Sequence, residues 1–209
     1  MTSILPEHLE GYGVTLRRWR ADDVELLHRA VDESYAHLRP WMDWVAQEPL
    51  SVEQRRAMLR RWEEDWRAGG DIIYGTMIDE ARVAGGCGLH HRRGPGVLEI
   101  GYWTHPAHLR RGIATAAALL LTDAAFALPD IEFVEIHQDR ANTASRGVPR
   151  RLGYELVEER PDARAAPAEV GIDCTWRIDR EGWAAAAESR NAILRSPSSR
   201  PEVNPQEPQ

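Results

Sequence analysis

The run IATAAALLLTDAAFAL, residues 113–128, constrains this chain more than any other stretch. Read as a helix it is apolar nearly all round, so no face can be left in water and the segment must be buried against a sheet. Strands to receive it are present. VTLRRW (14–19), DIIYGTMID (71–79), VAGGCGLHH (83–91), VLEIGYWT (97–104), EFVEIHQ (132–138), YELVEER (154–160) and VGIDCTWRID (170–179) are β-type runs. Turn residues separate them, at Glu80-Ala81-Arg82 and at Gly94-Pro95-Gly96. A first helix opens at Ala21-Asp22-Asp23 and carries Val24, Leu27 and Val31 at helical spacing. A second opens with a capping box, Ser51 with Gln54, carries Leu59, Trp62 and Trp66, and ends at Gly69-Gly70. A short one is expected over 143–151. PWMDW (40–44) is aromatic and fits no regular element. The order predicts an α/β domain of the α+β type: a mixed, mostly antiparallel sheet of six to seven strands, about four helices, and one buried helix crossing the sheet. Residues 1–183 are expected to form one domain. The polar, Pro/Ser-rich stretch 184–209 is expected to be a disordered tail.

Composition narrows the partners. With a net charge of −7 no basic field dominates, which argues against a general nucleic-acid binder. All 26 basic residues are arginine, which reads as coding bias. Cys87 and Cys174 have neither CxxC spacing nor a cysteine-rich framework, as for two reduced thiols. The first residues lack a basic region followed by an apolar run, and no segment has the 18 or so apolar residues needed to cross a membrane. The expected location is the cytoplasm, without a membrane partner.

The most chemically pointed stretch is HPAHLRRGIATAA (105–117), a basic loop that meets one glycine and runs into the apolar helix. Helix N-termini present unpaired N–H groups and partial positive charge to anions. Arg110 and Arg111 add charge, and Gly112 and Ala114 keep the backbone approachable. On these grounds alone a phosphate seat and a plain strand-to-helix turn stand about equal.

The run LEIGYWTHPAHLRRGIATAA, followed by NTASRGVPRRLGY (142–154), resembles the GCN5-related N-acetyltransferases (GNAT), in particular the RimJ/RimL branch that acetylates protein N-termini. The family's loop motif is glutamine or arginine, two residues, glycine, one residue, then glycine or alanine. Gly112 and Ala114 match it, and Leu109 stands where the polar residue is usual. A second motif, asparagine, two residues, serine, is intact as Asn142 and Ser145, and Leu152-Gly153-Tyr154 matches its usual ending. AHLRPWMDW (36–44) resembles the segment that shapes the acceptor pocket. The likeness spans about residues 10 to 183.

The resemblance implies a GNAT fold and acetyl-coenzyme A as cosubstrate, with no metal. Its pyrophosphate would lie on the backbone of Arg110, Arg111, Gly112, Ile113, Ala114 and Thr115. Its pantetheine arm would lie along Trp103 and Thr104, with Asn142 and Ser145 beside it. Alternation along VLEIGYW puts Glu99 with Gly101 and Trp103 on the face away from the buried helix, which makes Glu99 the candidate base; an ordinary ion pair with arginine is the alternative. Many relatives place a proton-donating tyrosine where this chain has Pro149. Ser145 is left to stabilise the leaving thiolate, or to serve as a helix cap. Trp41, Trp44 and His137 are candidates to line the acceptor site, and His90-His91 lacks the ligand spacing of a metal site. The expected acceptor is a protein or peptide N-terminal α-amine. A small amine (antibiotic, polyamine or biosynthetic intermediate) and a non-catalytic coenzyme A sensor or scaffold are the other readings. The branch includes homodimers, so a homodimer stays open.

Overall fold

The computed structural model describes residues 5–187. Eight strands form one sheet: β1 (His8–Gly11), β2 (Val14–Arg18), β3 (Ile72–Asp79), β4 (Arg82–His90), β5 (Val97–Thr104), β6 (Phe133–Asp139), β7 (Glu155–Pro161) and β8 (Ile172–Asp179). Their spatial order is β1-β2-β3-β4-β5-β6-β8-β7. Every neighbouring pair is antiparallel except β5–β6, which is parallel. That one parallel pair is joined through helix α3 (Ile113–Ala127), since parallel strands need a crossover. Helices α1 (Val24–Leu38) and α2 (Val52–Arg67) precede β3. Helix α4 (Thr143–Leu152) lies between β6 and β7, and α5 (Arg180–Ala185) follows β8.

The mixed, mostly antiparallel sheet with its buried helix is the one expected. α3 buries Ala117, Ala118, Leu119, Leu121 and Ala125 in a cluster with Leu98 and Ile100 of β5 and Val134 and Ile136 of β6. On the other face, Val24, Leu27 and Val31 of α1 and Leu59 of α2 form a second cluster, with Trp103 packed against it. The Ser51–Gln54 capping box is present in both directions.

Two elements were not legible. β1 is four residues long and turns into β2 through Tyr12 (φ 55°) and Gly13 (φ 80°). Positive φ at both central positions is the I′ hairpin geometry, which Asn-Gly announces and Tyr-Gly does not. α5 has six residues, too short for periodicity to show. Asp179 caps it and Trp183 anchors it, donating from Nε1 to Asp123 of α3 at 2.8 Å. Ala184 and Ala185, expected in the tail, are therefore helical; from residue 188 the tail lies outside the described residues. Among those residues, no helix is long and apolar enough to cross a membrane.

The segment between α1 and α2 is fastened from both sides. It contains a short 3-10 turn, Asp43–Gln47, and then Glu48, whose carboxylate takes two 2.8 Å contacts from Nη2 of Arg55 on α2. Both side chains are almost wholly buried. At its other end the Pro40 carbonyl accepts from Ala168 N, in the β7–β8 connection. Removing one partner of a buried pair leaves an uncompensated charge, so Arg55→Leu should cost about 3–5 kcal/mol. Replacing Glu48 by leucine as well should recover much of that loss. Urea denaturation of the two variants checks both statements.

Candidate active site

β5 and β6 pair only from Val97 with Phe133 to Ile100 with Ile136. Beyond that point each follows its antiparallel partner: β5 stays on β4 through Thr104, and β6 stays on β8 through Asp139. The sheet opens into a V, and one backbone edge of Gly101–Thr104 has no strand beside it. The twist at this place depends on β4. A Cβ on Gly85 would lie 2.1 Å from the Trp103 carbonyl oxygen, and one on Gly86 would lie 2.5 Å from Trp103 Nε1. Only glycine lets Trp103 lie against β4 there.

A cleft of about 790 Å³ fills the V and runs out beneath the α1–α2 segment. Trp41, Trp44, Glu99, Trp103, His137, Asn142 and Ser145 all line it, so the structure brings these seven together. Thr104 and the run Arg110–Thr115 continue from β5 into α3 and are not in the cleft wall. Ile113 and Thr115 bury their side chains, which leaves their backbones to meet a ligand. Arg110 (φ 59°) and Gly112 (φ 77°) give the loop a curl that presents successive N–H groups to one side. Gly112 caps α3 without a side-chain acceptor, and its first turn carries no acid. Arg110 and Arg111 are exposed and have no acidic partner among the described residues. Leu109 is also exposed.

On the α4 side of the V, Asn142 caps the helix: its Oδ1 accepts from Ser145 N at 3.1 Å. The cap is thus Asn142 rather than Ser145. Pro149 sits inside α4 and has no N–H for the Ser145 carbonyl four residues earlier. Tyr102 of β5 fills the gap, donating its hydroxyl to Ser145 O at 3.1 Å with Ser145 Oγ 2.9 Å away. Burial pushes the Tyr102 phenol pKa well up. Sequence reading gave Tyr102 no role in the site. The signal that would have found it is the proline, because a helix-interior proline orphans a carbonyl that another donor must satisfy. Gln138, at the end of β6, also lines the cleft; both its amide atoms are buried and unpartnered.

The opposite face is charged. Glu99 accepts from Arg93 Nε at 2.9 Å and from Arg92 Nη1 at 3.4 Å, so the ion pair weighed for it is formed. His137 lies between two carboxylates, Nε2 at 2.8 Å from Glu135 and Nδ1 at 3.1 Å from Asp173. Burial alone would pull its pKa down, but the bonds to Asp173 and Glu135 outweigh it and hold it above the ordinary 6.5. Burial raises the pKa of Glu135 and of Asp173, yet His137, with Arg177 on Glu135, brings both below the ordinary carboxylate range. Sequence reading also passed over Asp71, just before β3, which is bonded to His90 of β4.

These shifts have a sign. A raised histidine pKa contributes stability that is complete below about pH 6.5 and is lost as pH rises through the folded-state value. The lowered carboxylates contribute above their ordinary pKa values and lose that contribution as pH falls. His137→Gln should therefore cost most in mildly acidic buffer, and its gap from the parent should narrow towards pH 9. Urea midpoints across that range test it.

Residues 14–155 match the family model described as "Acetyltransferase (GNAT) domain". The chain belongs to the GNAT acetyltransferase family and is an N-acetyltransferase of that class, using acetyl-coenzyme A. It is 28% identical over 147 residues to "Putative ribosomal N-acetyltransferase YdaF" of Bacillus subtilis (strain 168), covering 68% of this chain and 77% of that one. Among solved structures it is similar to Mycobacterium smegmatis RimJ in complex with CoA-disulfide: TM-score 0.76, 22% identity, 90% of this chain and 93% of that chain. A RimL ribosomal L7/L12 alpha-N-protein acetyltransferase in complex with coenzyme A gives TM-score 0.74 and 21% identity, over 86% and 99%.

Proposed function

We propose that this protein transfers the acetyl group of acetyl-coenzyme A to the N-terminal α-amine of a protein or peptide in the cytoplasm. The observation that carries the reading is the V between β5 and β6, which opens on both faces of the sheet. A donor reaching it along β5 and an acceptor entering beneath Trp41 and Trp44 meet there. The volume of the cleft and its mouth under the α1–α2 segment suit the end of a chain. The names of YdaF, a putative ribosomal N-acetyltransferase, and of RimL, an alpha-N-protein acetyltransferase, support the same class of acceptor. Two free, buried cysteines agree with a reducing compartment.

The residues present fit coenzyme A. The unpaired amide of Gln138 and the open edge of Gly101–Thr104 are the hydrogen-bonding groups a pantetheine arm needs. The curl at Arg110–Gly112, the first turn of α3 and two unpaired arginines match a pyrophosphate. Loss of the polar side chain at Leu109 removes one contact and leaves the backbone donors in place. When bound, the donor supplies a thioester, an activated acetyl group. Asn142 is assigned to hold the arm, with Trp41, Trp44 and His137 lining the acceptor side.

The Ser145 hydroxyl, backed by Tyr102, is placed to hydrogen-bond the departing sulfur. A serine hydroxyl is a poor acid on its own, so its part is to hydrogen-bond the thiolate and relay to it a proton that comes from the amine. N–H groups near Trp103 or Thr104 are assigned to the carbonyl oxygen. Glu99 lies in the cleft as expected, but each of its oxygens already accepts from a guanidinium. The geometry favours another group as the base.

The direct test is mass spectrometry on peptides and small amines incubated with the full chain and acetyl-coenzyme A. Acetylation confined to peptide α-amines is expected; acetylation of small amines alone would overturn the acceptor assignment. Gly112→Val should raise the dissociation constant of coenzyme A by tenfold or more, about 1.4 kcal/mol. Calorimetric titration measures it, with circular dichroism confirming the fold.

A further inference from the structure

We propose that His90 is the general base that takes the acceptor's proton and that Asp71 is the residue that orients it, a proposal that rests on the acetyl-transfer reading above. His90 ends β4, directly across from Glu99 of β5, and lines the cleft. Its Nδ1 is 2.7 Å from Asp71 Oδ2, and Asp71 Oδ1 accepts from His91 N at 2.9 Å, so the carboxylate is fixed at both oxygens. A carboxylate only accepts, which places the ring proton on Nδ1 and the lone pair on Nε2. Arg92 Nη2 lies 3.0 Å from the same Nδ1, where it cannot donate to a nitrogen that carries a proton.

Nε2 lies over two glycines. A Cβ on Gly101 would be 3.2 Å from it and one on Gly88 3.3 Å; the two glycines are register partners. The imidazole rests on bare backbone at the mouth of the V, one residue beyond Ile100, where β5 leaves β6. Among the described residues Nε2 has no hydrogen-bond partner.

The carboxylates of the cleft wall, and its other histidine, are engaged. Glu99 is held by Arg92 and Arg93, and Glu48 by Arg55. Asp173 and His137 hold each other, while Asp139 accepts from the N–H groups of Ala141 and of Val170 to Ile172. Glu169 accepts from Ala165 and Ala166 N, and Asp43 from Trp44 N. The charged groups facing the His90 ring are Asp71 from the start of β3, Glu99 from β5 and Arg92 just after β4. Burial lowers the imidazole pKa below 6.5; the bond to Asp71 opposes this and Arg92 reinforces it. His90 therefore favours its neutral form and can accept, whereas both nitrogens of His137 are occupied by carboxylates.

The step balances. The acceptor ammonium gives one proton to Nε2, and the freed lone pair forms the N–C bond to the acetyl carbon. The C–S bond breaks with its electron pair on sulfur, and a second proton from the amine reaches sulfur by way of the Ser145 hydroxyl. The imidazolium returns its proton to water in the cleft. Proton acceptance on the α1–α2 face and thiol formation on the α4 face meet through the V.

The test uses pH profiles of kcat/KM on an acceptor peptide with a free α-amine, together with 15N NMR of the histidines, on the full chain. The parent should show an acidic limb below pH 6.5 and a neutral His90 protonated on Nδ1. His90→Gln should lose 100-fold or more in kcat/KM and lose that limb, with an unchanged dissociation constant for coenzyme A. His90→Ala should be partly rescued by added imidazole, and Asp71→Asn should move the limb and shift the tautomer. A His90→Gln variant within twofold of the parent with the same limb, or a His90 protonated on Nε2, overturns the proposal. A parent that acetylates no amine overturns the acetyl-transfer reading instead.

Discussion

The early end of one pairing organises this molecule. β5 and β6 share four register pairs and then part, because each is bound more extensively to its antiparallel neighbour than to the other. An exposed strand edge inside a folded protein must find donors and acceptors elsewhere, in water or in a ligand. The chain keeps this edge open rather than covering it. Gly85 and Gly86 keep β5 on β4, and Asp139 pins the residues that lead into β8. Loosening either attachment would let the two strands close on each other, and the site would vanish without loss of a single reactive group.

The V also separates two chemistries that interfere in one place. A proton must leave the amine before attack and another must reach the sulfur after it. The acceptor face carries His90, Glu99 and the His137 cluster, and the α4 face carries Tyr102 and Ser145. Strand alternation enforces that division: Glu99 and Gly101 point one way and Tyr102 the other. Pro149 then completes the second face indirectly, since the hydrogen bond it cannot make is the one Tyr102 replaces.

The fold was legible because its signals are local. α3 announces burial by composition, α2 by its capping box, and β5 by alternation. Of the site, the loop at Arg110–Gly112 and the pair Asn142–Ser145 were visible as contiguous motifs, and the structure sets the latter in one cleft with Glu99, His137 and the two tryptophans. Their roles were less legible. Whether Glu99 is free or paired depends on where Arg92 and Arg93 fold back. Of the two carboxylates that hold His137, Glu135 stands two residues before it on the same strand face, but Asp173 is 36 residues away.

His90 marks the limit of such reading most sharply. A carboxylate beside it in sequence would have drawn notice, but its partner Asp71 is 19 residues earlier, at the far end of a hairpin. The glycines at 88 and 101 read as weak points in two strands, since glycine there forgoes packing. Seen across the register they are one feature: a bare pair of residues that makes room for a ring. A side chain at 101 would crowd Nε2 at 3.2 Å, and one at 88 would first meet the Ile72 carbonyl oxygen at 2.8 Å. The glycine-rich texture of β4 is therefore a requirement of position, and it ties the hairpin β3–β4 to the chemistry as firmly as the loop before α3.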